Sequence, residues 1–133
     1  MTAAMGEGIV VRAAHFPGRA PVDAYGNGGF RFAGMSHRGS ILCLPSGFHG
    51  WQPHDPLSLM RDDFELVFSE ADAIEILLIG AGKEPKPLPA ALRQLFRDAR
   101  ISVDTMSTGA AVRTYNVLLA EDRAIAAALV AVD

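Results

Sequence analysis

The chain lacks most of the features that place a protein in a class at first reading. It has a single cysteine, Cys43, so it cannot build the internal disulfide framework typical of small secreted domains. No apolar run approaches the roughly 20 residues that cross a bilayer. The net charge is -3, and Lys and Arg form no run, which argues against nucleic acid or an anionic membrane surface as a partner.

What remains is the composition of an ordinary globular protein. The chain has 133 residues, of which half are hydrophobic and 20% are charged. This length suits one domain with a sizeable core, so we expect residues 1–133 to form a single domain. The first residues do not combine a charged leader with an apolar stretch, so we expect no signal peptide and a cytoplasmic protein.

The cysteine and the histidines, residue types that often act in catalysis or metal binding, occur here without the sequence patterns of such sites. Cys43 sits in the apolar run ILCLP, which predicts a core residue and not a nucleophile. His49 and His54 flank Trp51, with Asp55 next to them, but they lack the spacing of metal ligands. We therefore interpret this segment as a solvated loop, and we predict no metal, no cofactor and no catalytic residue.

The first 56 residues are rich in Gly, aromatic and turn residues, a composition typical of β structure. Strands are predicted over 9–14, 30–34 and 41–44, the last two forming a hairpin or small meander. The segments 17–29 and 36–40 are interpreted as connections. Asn27 and Gly28 give a strong turn signal within the first of them.

The remainder alternates between helical and strand patterns. A helix starts near Leu57 with Ser58 as its cap, and further helices cover 88–99 and 108–121. Strands are predicted over 74–79, 101–106 and 125–132, the first being apolar enough to be buried on both faces. The C-terminal part therefore reads β-α-β-α-β, an α/β fold, which the N-terminal strands either extend or cover as a second layer.

A glycine-rich segment follows the first of these strands. Gly80 and Gly82 free the backbone to approach a ligand, and Lys83 offers a positive charge to an anion. Neither the phosphate-loop pattern nor the dinucleotide pattern is complete. The alternatives are a plain turn and an anion site at the carboxyl end of a strand, where α/β folds place ligands.

A second candidate segment opens the last helix. Ser107, Thr108 and Gly109 follow a strand, where either a hydroxyl caps the helix or the helix N-terminus points at an anion. Arg113 and Asn116 share one helical face, and Asn116 is a poor helix former, so it makes either a structural hydrogen bond or a contact to a ligand or partner. If the two preceding strands are parallel neighbours, both segments face one crevice.

Four stretches together resemble a known family of domains of unknown function, numbered 498/598: YGNGGFRF, GSILCLPSG, ILLIGAGK and MSTGAAVRTYNVLLAEDR. Its mitochondrial members include a respiratory complex I assembly factor. The resemblance implies a three-layer α/β fold with a mixed central sheet and an additional β layer. It also implies an assembly or interaction role in the mitochondrial members and no established reaction in the bacterial ones. The family usually has Asp where Ser107 stands and often Cys where Val112 stands, which argues against either as an obligate catalyst.

Two functional hypotheses follow. The first is a non-enzymatic, assembly-factor-like domain that binds a protein partner through the region from Tyr25 to Phe30. The second is a binder or enzyme for a small anionic or nucleotide-like ligand in the crevice near Gly80–Lys83 and Thr108–Asn116, with Lys83 and Arg113 holding the anion. A homodimer formed through an open sheet edge is a third, weaker hypothesis.

Overall fold

The computed structural model describes residues 15–133, so the strand predicted over 9–14 lies outside the described residues. The described part contains nine strands and three α-helices. The strands are β1 (His15–Pro17), β2 (Val22–Gly26), β3 (Gly29–Phe32), β4 (Met35–Arg38), β5 (Ser40–Leu44), β6 (Gly47–Trp51), β7 (Ile76–Gly80), β8 (Ser102–Met106) and β9 (Ile125–Leu129). The helices are α1 (Glu65–Ser69), α2 (Ala90–Asp98) and α3 (Thr108–Ala120).

A six-stranded mixed sheet forms the centre, with strand order β1-β6-β5-β9-β7-β8. Strands β9, β7 and β8 are parallel, while β5 runs antiparallel to β9 and β6. The sequence-based prediction of β-α-β-α-β is confirmed by β7, α2, β8, α3 and β9. Strand β7 lies between two neighbours and is buried from Leu77 onward, as its apolar run predicts.

A second sheet of three antiparallel strands, β2-β3-β4, covers part of the central one. Two-residue turns join its strands. Asn27 and Gly28 have φ of 52° and 79°, and Ala33 and Gly34 have φ of 49° and 74°. Two positive φ values in a row define the turn whose twist suits a tight hairpin, so the turn predicted at Asn27–Gly28 is confirmed.

The N-terminal predictions need four corrections. The segments 17–29 and 36–40 contain β2 and β4. The loop predicted around His49 contains β6. Strand β5 pairs with β6 and β9, whereas β3 pairs with β2 and β4. These strands are short and rich in Gly and polar residues, so their sequences alternate too weakly to be recognised alone.

The segment predicted as one helix from Leu57 is divided. It contains 3-10 turns at Pro56–Ser58 and Arg61–Phe64, followed by the short α1. Ser58 lies inside the first turn, and Asp55 is the cap, because its side chain accepts a hydrogen bond from Leu57 N. Trp51 Nε1 donates to Asp63 O at 2.6 Å, which ties this segment to β6.

Two hydrophobic cores lie on opposite faces of the central sheet. On one face, the 3-10 turn before α1 packs through Phe64, α1 through Val67, and α2 through Leu92 and Phe96. On the other, α3 and the three-stranded sheet pack together, with the rings of Phe32 and Phe48 stacked 3.9 Å apart. Helices, central sheet and an outer layer that includes the second sheet make the three-layer α/β fold that the resemblance implied.

Candidate functional site

The candidate site lies where the three parallel strands end. Because β9, β7 and β8 are adjacent and parallel, the segments that follow them meet at one edge of the sheet. Thr108 N donates to Gly82 O at 2.7 Å, and Ala81 N donates to Met106 O at 2.8 Å. The glycine-rich segment and the start of α3 are therefore bonded to each other, as the parallel arrangement predicts.

Thr108 holds these strand ends together. Its hydroxyl accepts a hydrogen bond from Gly82 N at 3.0 Å and donates one to Val130 O at 2.7 Å. The residue is fully buried, and Ser107 is the residue that caps α3, accepting from Ala110 N at 3.2 Å. The Thr108 hydroxyl thus already serves the fold in both its donor and acceptor roles.

Gly80 lets α3 approach the sheet closely. A Cβ atom at this position would lie 2.9 Å from Thr108 Cα and 3.2 Å from Ala111 Cβ, so any larger residue would push the helix away. Gly82 has φ of +97°, a conformation that favours glycine. Both glycines therefore have a structural reason to be present; a ligand-binding role for them stays a prediction.

Tyr25 lies across the N-terminus of α3. A Cβ at Gly109 would collide with the Tyr25 hydroxyl and would lie 3.5 Å from Arg113 Nη1. Tyr25 remains 41% exposed, and Val117, one helical turn beyond Arg113, is 57% exposed. We call Tyr25, Arg113 and Val117 the Tyr25 surface.

Asn116 fixes β2 against α3. Its Oδ1 accepts from Val22 N at 2.9 Å, and its Nδ2 donates to Val22 O at 2.8 Å. The side-chain amide thereby pairs with the outer edge of β2 as a neighbouring strand would. This is the hydrogen-bonded structural contact that the sequence offered as one of two alternatives for Asn116.

Lys83 faces a separate open groove of ≈ 360 Å³. His54, Gly82, Lys83 and Lys86 are among its lining residues, whereas Arg113 and Asn116 are not. Lys83 Nζ lies 4.0 Å from Asp133 Oδ2, and Lys86 Nζ lies 3.8 Å from Glu84 Oε1. These exposed pairs are weak, so both ammonium groups remain available to an anion.

The structure thus divides the seven predicted site residues into three groups. Gly82 and Lys83 line the groove, Gly109 and Arg113 lie beside Tyr25, and Gly80, Thr108 and Asn116 bond or pack within the fold. Sequence reasoning missed His54 and Lys86 as groove residues. No pattern links them to Lys83, because only the folded chain brings residue 54 to the end of β7.

The groups with raised pKa values lie in the core and not in the groove. Burial raises the pKa of the Cys43 thiol far above its usual range, and burial is also the main cause of the raised pKa of Tyr115. The interpretation of Cys43 as a core residue is confirmed, since it is free and buried. Within residues 15–133, no group of three or more His, Cys, Asp or Glu side chains is placed to hold a metal ion.

The three-layer fold, with a candidate site where its parallel strands end, places the chain among the α/β proteins. Comparison with known proteins identifies its family. The chain belongs to the family described as protein of unknown function (DUF498/DUF598), whose model matches residues 22–130. The family assignment made from the four sequence stretches is confirmed.

Relatives extend the comparison. An uncharacterized protein of Rhodobacter capsulatus is 37% identical over 114 residues, which cover 86% of each chain. NADH dehydrogenase [ubiquinone] 1 alpha subcomplex assembly factor 3 of Mus musculus is 29% identical over 86% of this chain. The match spans only 62% of the mouse protein. The chain therefore belongs to a family related to complex I assembly factors.

Solved structures agree with the fold. A Bartonella henselae protein, described as an outer membrane protein, is 64% identical with a TM-score of 0.87 and covers 90% of this chain and 100% of its own. A Rhodopseudomonas palustris protein is 44% identical with a TM-score of 0.79 over 96% of this chain and 93% of its own. None of the helices described between residues 15 and 133 has the length and apolarity needed to span a membrane.

Proposed function

We propose that this chain is a protein-interaction domain of the assembly-factor type and that its partner binds at the Tyr25 surface. The observation that carries the proposal is the placement of Tyr25, whose ring lies against Gly109 beside Arg113 and is still 41% exposed. Tyrosine and arginine supply a large share of binding energy at protein interfaces. The kinship with proteins named as assembly factors points the same way.

The Tyr25 surface is preorganised for binding. Asn116 holds β2 on α3 through two hydrogen bonds, and Gly28 N, in the turn after β2, donates to Val132 O at 2.8 Å. Because Tyr25 lies between these two anchor points, its backbone is fixed before a partner arrives. Less conformational entropy is then lost at Tyr25 when a partner binds, which favours affinity.

Affinity purification from the native host tests this proposal. We expect the unmodified chain to retain a stoichiometric protein partner and the Tyr25→Ala variant to lose it, because truncation of a central interface tyrosine costs about 2 kcal/mol or more. Met35→Ala is the matched control, since Met35 is a similarly exposed apolar residue at 38% but lies on β4. Retention of the same partner by Tyr25→Ala would contradict the proposal, as would recovery of no partner under gentle conditions.

A second function is favoured by the groove beside β7, namely binding of a small anionic ligand. Lys83 and Lys86 line it with His54, and the two carboxylates that also line it, Glu84 and Asp133, form only exposed pairs with the lysines. A thermal-shift screen with phosphates, nucleotides and carboxylates tests this, and we expect Lys83→Ala to abolish any stabilisation. Arg113→Ala serves as the comparison: if Arg113 contributes, as the sequence predicted, Arg113→Ala alone also reduces the stabilisation, and if it does not, the stabilisation is unchanged. Absence of any stabilising anion would end this hypothesis.

We also propose a cytoplasmic location for the chain. Fractionation of the native host, followed by immunodetection, tests it directly. The description of the Bartonella relative as an outer membrane protein makes the envelope fraction the informative comparison. Recovery of the chain mainly from the envelope would contradict this location.

A further inference from the structure

The outer edge of β8 has no partner strand among residues 15–133. Strand β8 pairs with β7 and with no other described strand. Ser102 N donates to Glu75 O at 2.9 Å, and Met106 O accepts from Ala81 N, so residues 102 and 106 bond toward β7. Since successive residues of a strand point their backbone groups to alternate sides, Val103 and Thr105 direct N–H and C=O outward.

A groove of ≈ 300 Å³ runs beside this edge, and arginines line it. Arg93 and Arg97 are one turn apart on α2, and Arg100 follows one further turn along the chain. Ile101 to Val103 form the adjoining wall. Val103, with its outward backbone groups, and the three arginines thus border the same space.

No carboxylate that the structure describes compensates the positive charge of the groove. None of the three arginines forms an ion pair with a carboxylate of residues 15–133, and Arg97 Nη2 only donates to Gln94 Oε1 at 2.8 Å. Asp98 accepts from Gln94 at 2.8 Å and is not among the lining residues. Asp104 is on β8 but alternates to the face opposite Val103, and Val103 packs on the α2 side.

Arg100 occupies a position where glycine would be more stable. Its φ is +62°, and it follows Ala99, the C-cap residue of α2. Arg100 N donates to Arg97 O and Ile101 N donates to Phe96 O, both at 2.9 Å, the bonds of a helix end that usually carries glycine. An arginine is thus kept at a local conformational cost, and its side chain lines the groove.

We propose that the β8 edge and this groove bind an extended acidic segment of a partner protein, which adds to the central sheet as a further strand. Its backbone would pair with the outward groups of Val103 and Thr105. Its carboxylates, at every second residue, would repeat about every 7 Å on the α2 side. That spacing is close to the separation of Arg93, Arg97 and Arg100 along one helical face. The proposal concerns a surface other than the Tyr25 surface and stands without it.

Charge favours an acidic partner over a second copy of this chain. If two β8 edges paired antiparallel about a two-fold axis perpendicular to the sheet, both α2 helices would lie on the same face. The arginines of the two copies would then approach each other without a compensating carboxylate, which is repulsive. An acidic strand brings attraction at the same positions.

The probe is a nine-residue peptide of alternating Glu and Thr, labelled for fluorescence anisotropy and titrated with the full chain at low salt. A peptide of the same composition with its Glu residues in one block is the sequence control. We expect the blocked peptide to bind about fivefold more weakly and Arg93→Glu with Arg97→Glu to weaken binding of the alternating peptide about tenfold or more. Arg31→Glu with Arg38→Glu changes the net charge equally, on β3 and β4, and should change affinity less than about twofold.

A backbone variant and amide shifts locate the contact. Thr105→Pro removes an outward N–H without removing a bond to β7, so we expect a loss of about fivefold with the fold retained by circular dichroism. In nuclear magnetic resonance spectra, the amides of Val103 and Thr105 should move and that of Tyr25 should not. The proposal is overturned if neither peptide binds, if both bind equally, if the arginine variants match their control, or if light scattering shows that β8 joins two copies of the chain.

Discussion

At the scale of single residues, Asn116 fixes the position of an entire layer. Its two hydrogen bonds to the backbone of Val22 connect residues 94 apart in sequence. The poor helix propensity of Asn predicted that something other than the helix selects it. The partner could not be predicted, because nothing in the sequence of β2 marks Val22 as the residue facing α3.

Removing the Asn116 amide should destabilise the fold. Asn116→Ala leaves the outer N–H and C=O of Val22 without their partners, and we expect the free energy of unfolding to fall by about 2–3 kcal/mol. Urea denaturation followed by circular dichroism measures this. Arg113→Ala, on the same helix but exposed, is the control and should change the free energy by less than about 0.5 kcal/mol. Equal effects of the two substitutions would show that the two hydrogen bonds between Asn116 and Val22 contribute nothing to stability.

At the scale of elements, a helix or strand was predicted accurately where its hydrophobic periodicity is strong. Helices α2 and α3 and strands β7, β8 and β9 were predicted nearly to their bounds, because apolar runs and stripes mark them. Strands β4 and β6 were missed, since sequences such as MSHR and GFHGW alternate weakly and gain their place only by pairing with neighbours. The helix predicted from Leu57 failed for a related reason: Pro56 and the Asp55 cap impose a 3-10 turn first.

The end of α2 offers a test of the conformational strain at Arg100. Arg100→Gly should stabilise the chain by about 0.5–1 kcal/mol, because glycine adopts a φ of +62° without the steric cost that arginine bears. Thermal unfolding measures the change. Asp122→Gly is the matched variant, since Asp122 has φ of 59° at the equivalent position after α3 and lies outside the arginine groove. Destabilisation by Arg100→Gly would mean that the side chain is held by contacts that outweigh the strain.

At the scale of the whole molecule, a hydrophobic core lies on each face of the central sheet, and the same strands contribute side chains to both cores. Strand β9 directs Ala126 and Ala128 to the α2 side and Ile125, Ala127 and Leu129 to the α3 side. Alanines leave room for the bulky residues of the helices above and below. Because β5, β7 and β9 contribute to both cores in this way, loss of either core removes the support of the other. This is the physical basis for expecting residues 15–133 to behave as one domain.

The single tryptophan and the single cysteine test this cooperativity, since they report on opposite faces. Trp51 is buried in the core beside α1 and α2, and Cys43 is buried in the core beside α3. Burial raises the pKa of the Cys43 thiol, so the folded chain should resist thiol reagents near neutral pH and react only on opening. We expect Trp51 fluorescence and Cys43 labelling to report the same midpoint in urea, within error. If Cys43 became reactive well before the fluorescence changed, the three-stranded sheet and α3 would be opening as a separate unit, and the single-domain proposal would be wrong.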